Sequence, residues 1–176
     1  MKSKILIALI LISTFLVGCG SNSQPDPQAS ELDTQLMAAV QSYLELKDAL
    51  VIADAKAASE KAKRFETALG AIDENLFPPG LLAGWQLHKE SMFGAIGSLI
   101  KTDDLMTQRS EFFYVSDALI KVLKNHGPLE KPLYIQHCPM AFDNTGGDWI
   151  SDAEKIMNPY FGDLMLHCGV VQEKIK

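Results

Sequence analysis

Two hard stops, Pro78-Pro79-Gly80 and His126-Gly127-Pro128, divide this chain more firmly than anything else in it. Proline cannot continue a helix, and glycine ends one at little steric cost. Before and between these stops, apolar residues recur at helical spacing. Leu32, Leu36, Tyr43, Leu46 and Leu50 mark a helix over 31–50, with Ser30 as its cap and Asp33 at the capping-box position. Asp54 caps a second helix over 55–76, which turns Ala58, Ala62, Phe65, Leu69, Ile72 and Leu76 inward. A third runs over 81–100 on the line Leu81, Trp85, His88, Met92, Ile96 and Leu99. Thr102 or Asp103 caps a fourth, which ends near Asn125 and faces inward with Leu105, Phe112, Ser116, Leu119 and Leu123. Arg109 lies beside that apolar line, and is expected to pair with an acidic residue or to cap the segment around Trp149. Four such helices with short links predict a mainly α fold, an antiparallel four-helix bundle.

After Pro128 the helical period disappears. The rest is dense in Gly, Pro, Asn and aromatic residues, and predicts an irregular C-terminal segment. It can hold a short two-stranded β element, with strands over 133–138 and 165–171. Trp149-Ile150 is expected to dock on the bundle, Ser151 to cap a helical turn with Glu154 three residues on, and Asn158-Pro159 to turn the chain back.

At the other end, Lys2 and Lys4 precede an apolar run over 5–17, too short to span a membrane comfortably. The run ends Leu16-Val17-Gly18-Cys19, which resembles the lipobox of bacterial lipoproteins. That resemblance implies a signal peptide over 1–18, cleavage before Cys19, and acyl chains attached there, enough to anchor the chain. Ser21 after Gly20 points to the outer membrane, with the protein facing the periplasm. Residues 19–30 then read as a flexible tether and 31–176 as one domain. The formal net charge of −6 at pH 7 argues against nucleic acid or an anionic membrane face as partner.

The C-terminal segment gathers the soft side chains. His137, Cys138 and Met140 form one group, and Met165, His167 and Cys168 the other. Thiolate, thioether and imidazole are the ligand set expected for Cu(I), or Ag(I). Residues two apart on an extended strand share a face, so Cys138 and Met140 would point together and His137 away. Cys138, Met140, Met165 and Cys168 are therefore the simplest set, with His137 or His167 able to replace a thioether. Zn(II) held by the two cysteines and two histidines is the rival metal. A disulfide between Cys138 and Cys168 is the alternative to any metal, closing a loop of about 30 residues worth about 3 kcal/mol.

The run Tyr134-Ile135-Gln136-His137-Cys138-Pro139-Met140, the Gly147-Asp148-Trp149-Ile150 step and the run from Ile156 through Asn158-Pro159-Tyr160-Phe161-Gly162 to Cys168-Gly169 resemble the bacterial DUF3347 family. The resemblance extends to residues 43–50 and to Arg109, Phe112 and Ser116. It implies an envelope lipoprotein, since members include periplasmic lipoproteins and domains attached to membrane-fusion subunits of copper and silver efflux systems. By position it places Cys138, Met140, Met165 and Cys168 on the family's Cys-Pro-Met and Met-x-x-Cys-Gly elements. The expectation is thus a non-enzymatic, lipid-anchored protein that binds Cu(I) for buffering or transfer, with metal-efflux or other envelope proteins as partners. The alternative is a structural or interaction module of the envelope with Cys138–Cys168 as a disulfide, docking through Trp149, Tyr160 and Phe161.

Overall fold

A computed structural model describes residues 27–175. The expected signal peptide, Cys19 and the tether up to residue 26 lie outside the described residues. Four helices come first: α1 (Pro27–Val51), α2 (Ala55–Gly70), α3 (Pro79–Ile100) and α4 (Leu105–His126). Three strands follow: β1 (Leu133–Cys138), β2 (Gly147–Ser151) and β3 (Val170–Ile175). Among the described residues no helix is long and apolar enough to cross a membrane.

The helices form the expected bundle. Three contacts show that α1 and α4 run antiparallel. His126 Nε2 lies 3.1 Å from Asp33 Oδ1, Tyr43 Oη 2.7 Å from Ser116 Oγ, and Arg109 Nη2 donates to the Leu50 carbonyl at 3.1 Å. As numbers rise along α1, they fall along α4. Leu36, Tyr43, Leu50, Phe65, Leu69, Met92, Ile96, Phe112 and Leu123 all sit in the core, as their spacing predicts.

The helix ends differ in instructive ways. Asp54 caps α2 as expected, accepting the Ala57 N–H at 2.9 Å. Asp104, not Thr102 or Asp103, caps α4, taking the Thr107 N–H at 2.8 Å. α1 is already helical at Pro27, the first described residue, so Ser30 lies inside the helix and does not cap it as expected. α2 stops at Gly70 rather than running to Leu76. Asp73 accepts the Asn75 N–H at 2.9 Å and starts a separate 3-10 turn, Glu74–Leu76. A local side-chain bond of this kind competes with the helix. Ile72 stays buried all the same, so its place in the apolar pattern survives the break.

Glu74 binds this turn to α3. Its carboxylate accepts from Lys89 Nζ at 2.7 Å, Gln86 Nε2 at 3.0 Å and Trp85 Nε1 at 3.3 Å. The Lys89 bond chiefly, then Gln86, pulls its pKa from 4.5 to about 2. A carboxylate depressed on folding adds stability above its unfolded pKa and loses it as pH falls to the folded value. Unfolding midpoints should therefore drop as pH is lowered from 4.5 to about 2, and Glu74→Gln should flatten that interval. An unchanged slope in the variant would remove Glu74 from this role.

The C-terminal segment holds three strands rather than two. β1 is central, paired antiparallel with β2 on one side and β3 on the other. Ile135 faces Ile150 and Gln136 faces Trp149 across β1 and β2. β3 begins at Val170, later than the expected strand over 165–171. The reason is Asn158, whose N–H donates to Leu166 O at 2.8 Å and whose side chain donates to Cys168 O at 2.8 Å. Those carbonyls are thereby withdrawn from any ladder. The expected helical turn after Ser151 is also absent. Gln136 Nε2 donates to the carbonyls of Ala153 and Glu154 at 2.8 and 3.2 Å, which a helix would need.

Tyr43 joins sheet to bundle. It stacks on Phe112 with ring centroids 5.1 Å apart, and its Oη accepts the Ile150 N–H at 3.1 Å. Burial above all keeps the phenol protonated. Tyr43→Phe should leave the Ile150 N–H and Ser116 hydroxyl without this partner and cost about 1–3 kcal/mol in denaturant unfolding. A change well under 1 kcal/mol would show that the bond contributes little.

Candidate functional site

Cys138 closes β1 and is fully buried. Cys168 arrives from the loop before β3, half-buried. Asn158 shapes that loop, since its Oδ1 also accepts the Tyr160 N–H at 2.9 Å. The Cys168 N–H closes a turn on Met165 O at 3.0 Å. Gly169 then enters β3 at φ 145, where an added Cβ would stand 2.8 Å from His137 O and 3.1 Å from Trp149 Cη2. The outcome is a thiol pair with sulfurs 3.2 Å apart, both cysteines free. The bond to Cys138, then burial and the Cys138 charge, raise the Cys168 pKa above its ordinary 9.0. Cys168 is thus held as a thiol, a poor nucleophile and a poor metal ligand until it loses its proton.

The other expected ligands do not join this pair. β1 ends at Cys138 and the chain turns at Pro139-Met140, so the strand parity that would align Cys138 with Met140 does not apply. Met140 is exposed. It lines a cavity of about 430 Å³ with Met106 and Met165, and neither cysteine is among the lining residues. His137 leans the opposite way and meets Asp148, Nδ1 to Oδ1 at 2.6 Å. His167 is exposed, with Nδ1 2.9 Å from Ile156 O. Among the described residues, no group of three or more His, Cys, Asp or Glu could hold a metal ion. This corrects the Cu(I) expectation, and with it Ag(I), Zn(II) and a role in metal buffering or transfer. Soft side chains crowded in sequence were dispersed by the turn at Pro139 and by the alternation of β1.

The aromatic surface expected of an interaction module is also revised. Trp149 is fully buried and Tyr160 nearly so. Their centroids lie 5.8 Å apart in an edge-on contact. The Tyr160 hydroxyl donates to the Asp148 carbonyl, and burial foremost keeps it protonated. Both residues fix β2 to the loop beneath it.

Two features were beyond pattern reading. Phe142, Asp143 and Asn144 all adopt positive φ, at 50, 56 and 67. Left-handed backbone costs roughly 1–2 kcal/mol per non-glycine residue. Phe142 is held there by ring contacts with Phe113 at 4.9 Å and Tyr160 at 5.1 Å. The second is Arg109, which makes no ion pair among the described residues. Its Nε donates to Pro159 O at 3.0 Å and its Nη2 to Leu50 O at 3.1 Å. It ties the bundle end to the C-terminal loop through backbone, not through an acid. Its position beside Phe112 and Ser116 was visible in sequence, but its partners were not.

A family model described as a protein of unknown function, DUF3347, matches residues 39–131, more than half of the chain. The match covers the bundle from within α1 to the linker before β1, and ends ahead of the thiol pair. No curated protein and no solved structure matches the chain.

Proposed function

The chain belongs to the DUF3347 family, and from that premise we propose that it is a non-catalytic interaction module of the bacterial envelope. It is anchored by lipid on Cys19, in the outer membrane facing the periplasm, and its C-terminal cap is stapled by a Cys138–Cys168 disulfide. The observation that carries this reading is the contact of the two sulfurs at 3.2 Å, reached from elements 30 residues apart in sequence. Such a pair in an oxidising compartment forms a bond that a reducing cytosol would not sustain. The lipobox resemblance at Cys19 supplies the compartment. Met106 and Leu164, both well exposed, support contact with another envelope protein.

The test is to open cells in the presence of iodoacetamide, purify the full chain and map its cysteines by peptide mass. The expected result is a disulfide-linked pair of peptides containing Cys138 and Cys168, with a diacylglyceryl group on Cys19. Alkylated Cys138 and Cys168 in freshly opened envelopes would remove the staple. An intact leader with an unmodified Cys19 would remove the anchor.

A further inference from the structure

Arg109 stands near the start of α4, on the side that carries Phe112 and Ser116. It is only 7% exposed. A guanidinium offers five N–H donors and a full charge. Two of its nitrogens reach carbonyl oxygens, and no carboxylate pairs with it among the described residues. A cation taken out of water without a counter-charge is disfavoured. Carbonyl dipoles relieve only part of that cost and leave the charge itself unbalanced.

That unbalanced charge borders open space. Arg109 lines the cavity of about 430 Å³, together with Met106, Met140, Phe142, Phe161 and Met165. The volume falls in the range of roughly 300–1,000 Å³ common to small-molecule sites. Methionine and aromatic walls adapt to flexible apolar ligands. One wall carries the left-handed residues Phe142, Asp143 and Asn144, and strained backbone concentrates at ligand sites. Asp143 is the acid in the lining, but it is exposed, where solvent screens its charge. Burial also lowers the pKa of Arg109, as expected for a cation that lacks an anion.

We propose that this cavity binds an amphiphilic anion: a carboxylate or phosphate head placed on Arg109 and a linear apolar tail laid along Met106, Met140, Phe161 and Met165. A planar guanidinium matches such a head with paired hydrogen bonds. The methionine walls take the tail without a fixed shape.

Isothermal titration of the full chain carrying Cys19→Ser, which has no lipid of its own, tests this with four probes below their micelle concentrations. Decanoate and decyl phosphate supply the two heads, decanol the tail without charge, and acetate the charge without tail. The expected result is saturable binding of at least one long-chain anion, about tenfold or more tighter than decanol, and none of acetate. Arg109→Met should reduce that anion to the affinity of decanol. Because Arg109→Met also removes bonds to Leu50 and Pro159, Met140→Glu provides a second variant at an exposed position. It should weaken the anion about tenfold or more by like charge while circular dichroism stays unchanged. Decanol binding as tightly as both anions, absence of saturable binding by either anion, or indifference of the bound anion to Met140→Glu would each overturn the proposal.

Discussion

Oxidising the full chain should join Cys138 to Cys168 and raise its unfolding free energy by about 3–4 kcal/mol, from the chain entropy removed by closing a loop of this length. The sulfurs already touch at 3.2 Å, so little backbone has to move. Cys138 is anchored at the end of the central strand, and Cys168 is fixed by Asn158 through its carbonyl. For a domain of this size, such a gain moves the melting temperature by on the order of 10 °C. Calorimetry with and without reductant measures it, using Cys19→Ser to leave this pair as the only thiols. Cys168→Ser should melt near the reduced chain under both conditions. Equal melting of the oxidised and reduced chains, with the bond verified by mass, would mean that the staple does not stabilise the cap.

Gly169→Val should be more severe, costing about 3–5 kcal/mol, because a conformational and a steric penalty fall on one residue. The φ of 145 disfavours any L side chain, and a β-branched one most. A Cβ here would also meet His137 O at 2.8 Å, Trp149 Cη2 at 3.1 Å and Ile156 Cγ2 at 3.3 Å. Two of these walls, His137 and Trp149, belong to the paired strands β1 and β2, so they cannot withdraw without breaking the ladder. Denaturant unfolding gives the loss. Cysteine cross-linking gives a second reading, since displacement of residue 169 carries Cys168 away from Cys138. A variant that keeps wild-type stability and oxidises at the same rate would show that the entry to β3 is looser than this packing implies.

The bundle was legible because its signals are local. Apolar residues at helical spacing face one side wherever the helix goes, and Pro78-Pro79-Gly80 lets no helix run through it and starts α3 at Pro79 regardless of tertiary context. Tyr43, Phe65, Trp85, Met92 and Phe112 are core on that ground alone. The start of α4 was off by one or two residues, where Asp104 took the cap, and the end of α2 by six, where Asp73 started a separate 3-10 turn. The C-terminal cap was less legible. Its short strands carry no long periodicity, and the start of β3 was decided by Asn158 from outside the strand.

The expected metal site failed for a specific reason. Six soft side chains within 32 residues suggested convergence, but nearness in sequence does not set direction. β1 sends Cys138 inward and leaves His137 with Asp148. The turn after Cys138 carries Met140 to the cavity beside Arg109. His167 ends on a backbone carbonyl at the surface. The two thiols meet each other, and Met140 and Met165 line a separate cavity.

Residue order alone therefore settled the four helices and their antiparallel stacking, since both follow from backbone sterics and from burial of a periodic face. Folding in three dimensions decided which cysteines, methionines and histidines face one another, and left Arg109 without an ion pair among the described residues, beside a hollow walled by methionine and aromatic side chains. Such pairings depend on strand parity, one turn and one asparagine acting across ten residues, and side-chain direction there is a property of the assembled cap.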